Sequence, residues 1–138
     1  MNLKASILLL FILINCTVYS QTYSFSKLVK KASVQTSTGK QLRIIGSYDG
    51  PYQFIFETPS DPQIKRLFTL VSPGERSLTA PWFGLLKEMG YVEKNGKLLK
   101  QFLYLDTQNN EQVLVMITDD YSQIVIFKKD DTIWEFTK

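Results

Sequence analysis

Two consecutive apolar segments near the C-terminus, 112–118 and 122–128, have no polar side. In the first, Val113, Val115 and Ile117 alternate with Leu114 and Met116; in the second, Ile124 and Ile126 alternate with Val125 and Phe127. A strand with one wet face alternates apolar with polar residues, so segments of this kind must be covered on both faces. Turn-forming groups bound them: Thr107-Gln108-Asn109-Asn110, Asp119-Asp120 and Asp130-Asp131. A last strand follows at 132–137. Upstream, 91–94 and 97–106 flank Asn95-Gly96, a two-residue turn that takes positive φ. Short connections make neighbours antiparallel, and the region from Tyr91 onward is predicted as a five-strand meander.

The first half reads similarly. A hairpin is expected from 31–36 and 41–46 around Ser37-Thr38-Gly39-Lys40, and a strand at 52–57 after a turn at Tyr48-Asp49-Gly50-Pro51. Residues 64–72 fit a helix by spacing and a strand by their β-branched and aromatic content, and strand is preferred. One helix is predicted at about 79–89. Trp82, Leu85, Leu86 and Met89 fall at i, i+3, i+4 and i+7, with Thr79 as cap, Pro81 in the first turn and Gly90 just past the end. The fold class is thus α+β, mostly β: a strongly curved antiparallel sheet or small barrel of seven to nine strands with one packed helix. A helix some 10 Å across cannot cover a sheet more than about 30 Å wide. Curling of the sheet, a ligand or a second subunit must cover the rest. Trp134 and Phe136 share a face with Glu135 opposite, which reads as an edge strand.

The N-terminus has the order of a secretory signal, with Lys4, an apolar run from Ile7 to Ile14, and Val18 and Ser20 as small residues before Gln21. We therefore expect residues 1–20 to be a signal peptide and 21–138 a single β-rich domain, periplasmic or secreted. The run is too short to span a bilayer. Leu13-Ile14-Asn15-Cys16 is the alternative, a lipoprotein box that would anchor the protein to a membrane through acylated Cys16, with Asn15 against it. The whole chain carries 16 basic and 13 acidic residues. That balance, with the export signal, argues against a nucleic-acid partner.

Absences limit the chemistry. There is no histidine, and Cys16 is the only cysteine. A Ser-His-Asp triad, a Cys-His pair and the usual zinc sites are excluded, and no phosphate loop or dinucleotide fingerprint is present. No cofactor, metal or catalytic residue is expected. The paired aspartates, with Asp106 or Asp49, have the oxygen chemistry for calcium, but aspartates at tight turns are accounted for by turn chemistry. Ser24-Phe25-Ser26-Lys27 has the Ser-x-x-Lys spacing of penicillin-interacting enzymes without their further motifs. Lys27, Lys30 and Lys31 suit either anionic lipid or glycan, or the protection of an edge strand. Lys128-Lys129 reads as a solvated turn. The candidates for ligand binding are Tyr52, Phe54 and Phe56 on one strand face and Phe102 and Tyr104 on another, with ordinary core beneath the helix as the plainer reading. The expected function is a non-catalytic extracytoplasmic binding or interaction protein, its partner an unknown protein or a small apolar ligand. The alternatives are a lipocalin-like carrier of a small apolar ligand and, third, a carboxylate-based hydrolase.

Overall fold

The computed structural model describes residues 19–59 and 66–138. Eight strands follow one another: β1 Tyr19–Thr36, β2 Gly39–Thr58, β3 Leu67–Val71, β4 Trp82–Lys94, β5 Lys97–Asp106, β6 Glu111–Thr118, β7 Gln123–Phe127 and β8 Thr132–Thr137. Each pairs antiparallel with its predecessor, and β8 pairs with β1, so the sheet closes into a ring. The mostly-β reading and the strong curvature hold. The predicted meander is present, its first strand beginning at Trp82 rather than Tyr91, and Asn95 and Gly96 make the expected turn with φ of 52° and 74°. Strand is also the state of Leu67–Val71, while Ile64 lies outside the described residues.

The helix at 79–89 does not form, and no described residue is helical. Most of that stretch belongs to β4, which carries two bulges against β5, at Leu86 and at Met89. Each bulge slips the in-and-out alternation by one residue. The four positions that matched a 3.6-residue period therefore do not share a face: Leu85 packs on the core, Trp82 points out, and Leu86 and Met89 are the bulge residues. The supposed buried face is largely outside: Trp82, Leu86 and Met89 are 44%, 41% and 49% exposed. Phe83, between the matched positions, is the buried residue, stacked on Phe68 with ring centroids 4.6 Å apart. Gly90 has the positive φ of 94° expected after a helix, but uses it beside the second bulge.

Two further expectations are corrected. Tyr48-Asp49-Gly50-Pro51 is not a turn, since β2 runs through it and the pairing to β1 merely shifts register there. Gly50 is required at that point because a Cβ on it would lie 2.4 Å from the Phe25 carbonyl oxygen. Nor is β8 an edge strand; it is hydrogen-bonded on both sides and is the strand that closes the ring.

Closure buries the inner faces. Phe25, Phe54, Phe68, Phe136, Val113, Val115, Ile124 and Ile126 fill the interior and are essentially inaccessible to solvent. Phe54 meets Phe136 edge-on at 4.8 Å, and Phe68 meets Tyr104 the same way, also at 4.8 Å. The outer faces are covered less completely. Leu103, Leu114, Phe127 and Ile133 form one row across four strands and are half-buried. The adjacent Val125 is buried, in a groove bounded by Lys94, Asn95 and Lys97 of the β4–β5 hairpin. Across the β1–β8 seam Lys31 donates to Glu135 at 3.0 Å.

Candidate functional site

Both mouths of the ring are lined by identifiable side chains. At the mouth where β6 passes into β7, a cleft of about 280 Å³ lies between Phe56, Phe102, Tyr104, Ile117 and Tyr121, with Gln21, Glu57, Thr58 and Arg66 among its polar residues. The sequence places these groups through the strand period of two: Phe56 continues the inner face of β2 beyond Phe54, and Phe102 and Tyr104 share the inner face of β5. Tyr121 arrives differently. It sits in the β6–β7 turn with φ of 54°, a conformation uncommon for a bulky residue.

Side-chain hydrogen bonds hold that turn. Asp120 accepts from both the backbone N–H and the hydroxyl of Ser122, at 3.0 and 2.7 Å. The buried Thr118 hydroxyl accepts from the N–H groups of Ser122 and Gln123, at 3.1 and 3.0 Å. So fixed, the Tyr121 ring stacks on Tyr23 of β1, with centroids 4.1 Å apart and planes 5° from parallel. Phe56 meets both rings edge-on at 5.8 Å. Burial raises the phenol pKa of Tyr104 and of Tyr121 above the ordinary range, and both stay neutral donors through physiological pH. Arg66 reaches Glu88 of β4 at 3.7 Å.

Of the sequence candidates, Phe56, Phe102 and Tyr104 come together at the cleft. Tyr52 and Phe54 do not line it; they lie further along the inner face of β2, both packed edge-on against Phe136. Tyr23, Arg66 and Tyr121 escaped the sequence reading. A tyrosine inside the otherwise polar turn Asp119-Asp120-Tyr121-Ser122 was the one available signal.

At the opposite mouth a smaller cleft of about 60 Å³ lies between Leu70, Phe83, Asp106, Val113 and Trp134. Here Lys30 and Lys128 place their ammonium groups 4.1 and 4.5 Å from the Trp134 ring, so Lys128 is not simply a solvated turn residue. Burial, and after it the charge of Lys128, lowers the Lys30 pKa.

Asp106, Asp120 and Asp130 serve their own turns, whereas Asp49 lies within β2 opposite Lys27. Asp106 accepts from the Gln108 and Asn109 N–H groups and from Asn109 Nδ2, and Asp130 caps Thr132 as Asp120 caps Ser122. Among the described residues no three acidic, histidine or cysteine side chains gather as a metal site. Ser24 and Lys27 lie on extended β1, about 10 Å apart at strand rise. The single helical turn that would bring a lysine to a serine is missing there. No known protein family matches the chain, and no curated protein or solved structure does so either.

Proposed function

We propose that the protein is a non-catalytic extracytoplasmic binding protein whose mouth cleft takes a small, largely apolar ligand against Phe56, Tyr104 and Tyr121. The observation that carries this reading is a built aromatic wall beside open space: a tyrosine in a disfavoured backbone state, held by two side-chain networks, completes the cleft. Such residues concentrate where a shape must be maintained for binding. The filled interior supports a ligand seated at the mouth rather than one swallowed as in a wide carrier barrel. Among the described residues the cleft offers one carboxylate, Glu57, whereas carboxylate glycoside hydrolysis works with two. Export to the periplasm or beyond is part of the same proposal and rests on the N-terminal signal.

Titration with the apolar fluorophore 8-anilinonaphthalene-1-sulfonate tests the cleft. Saturable binding is expected, weakened severalfold by Tyr121→Ala, as removal of an aromatic partner implies. Tyr121→Phe should bind like the parent. Trp82 and Trp134 lie toward the other mouth, so their emission should stay unchanged in both variants and report an intact fold. Equal affinity in parent and Tyr121→Ala would place the fluorophore elsewhere and overturn the assignment.

A further inference from the structure

The β1–β2 hairpin extends past the ring. Strand β1 meets β8 only over Lys27–Ala32, and β2 meets β3 only over Gln53–Glu57. Among the described residues no strand pairs with the second edge of β2 between Gly39 and Tyr52. On that stretch Leu42, Ile44 and Ile45 are 58%, 65% and 56% exposed; Tyr48, also exposed, is on the opposite face, paired with the buried Leu28 and lying under the Lys30 ammonium. Residues 41–45 are exposed on both faces because this part of the hairpin projects past the ring, and Ile45 is left unpaired as a bulge where the pairing to β1 shifts between Lys30 and Lys31. Lone exposed apolar residues are ordinary, but three within four positions of one projecting strand form a patch.

Charge identifies what the patch meets. From Tyr19 to Tyr48 the chain has five basic residues, Lys27, Lys30, Lys31, Lys40 and Arg43, and no acidic one. From Asp49 to the end it has ten basic and thirteen acidic residues. The molecule is thus polarised, with its positive charge gathered on the hairpin that also carries the exposed aliphatic side chains. Lys31 is neutralised in part by Glu135, Lys30 lies against Trp134 and Lys27 is paired across the strands with Asp49, which leaves Lys40 and Arg43 as the free cations among the five. A second copy of the chain, joined edge to edge along β2, would bring two such hairpins together, and like charge opposes that. A surface both anionic and apolar just below its charges meets every requirement.

We infer that the β1–β2 hairpin docks the protein on an anionic lipid surface. Leu42, Ile44 and Ile45 enter the headgroup boundary, and Lys40 and Arg43 meet lipid phosphates. The free backbone edge of β2 remains at the wet headgroup level, where water and phosphate satisfy it.

Co-sedimentation of the full protein with vesicles tests this, using phosphatidylcholine alone and phosphatidylcholine with about one-third phosphatidylglycerol. Binding is expected on the anionic vesicles only, and it should fall steeply as salt is raised. Replacing one charge, as in Arg43→Gln, should weaken it about fivefold. The triple change Leu42→Ser, Ile44→Ser, Ile45→Ser should weaken it at least as much, and the salt series on the parent protein is independent of how that variant folds. Equal binding to both vesicle types, as the apolar stretch from Ile7 to Ile14 would give, overturns the inference. Undiminished binding of the triple variant overturns it too, since the site would then be a charge patch alone. A concentration-dependent dimer abolished by the triple change would assign the edge to a second copy instead.

Discussion

Single carboxylates show how local chemistry sets this chain's turns. Asp120 accepts two hydrogen bonds from Ser122, and these, the side-chain bond first, hold its pKa down to about 2. Asp130 is lowered for the same reason through Thr132. A depressed carboxyl pKa means that the turn gains stability above the unfolded value of 3.8 and loses it as pH falls toward the folded value. Both side chains are solvent-exposed, so the effect is local. The protection of the Ser122 amide, its exchange rate relative to the intrinsic rate at each pH, is therefore expected to fall between about pH 4 and pH 2, and Asp120→Asn should remove most of that pH dependence; the amide spectrum followed by NMR reads both. Tyr121 stands between the two partners of the motif. Its ring should lose its stacking on Tyr23 over the same pH interval.

At the level of elements, β4 separates the helix reading from the strand. Met89 is a half-exposed bulge residue on an extended chain. Met89→Val is accordingly expected to leave stability unchanged within a few tenths of a kcal/mol, or to raise it slightly, where a helix would lose about 0.5 kcal/mol to the β-branched side chain. A urea melt distinguishes the two. The same strand marks the limit of what the sequence disclosed. The late strands were legible because short apolar runs rich in β-branched residues, each closed by turn residues, are too short for helices. The bulges were not, because they depend on how β4 follows β5, a contact between strands that no residue announces. Of the mouth cleft, Phe56, Phe102 and Tyr104 could be read as strand stripes. Tyr23 and Tyr121 are close only because the ring closes, and nothing in a linear reading sets residues so far apart face to face.

For the whole molecule the decisive contact is the seam between β8 and β1. Phe136, wholly buried, touches Phe25, Tyr52 and Phe54, and so joins the last strand to the first two. Phe136→Ala is expected to cost about 3–5 kcal/mol, measured by urea unfolding, because the closed interior cannot collapse around the lost ring. The seam also answers the need stated by the doubly apolar strands. Their inner faces are covered by the opposite wall of the ring, while the outer row of Leu103, Leu114, Phe127 and Ile133 stays half-buried. The order of strands around the ring is simply their order along the chain, returning to its start. Geometrically, then, no strand is first: a loop tying residue 137 back to residue 19 would leave every neighbour relation intact, and the circle could be opened at any of its hairpin tips without changing who stands beside whom.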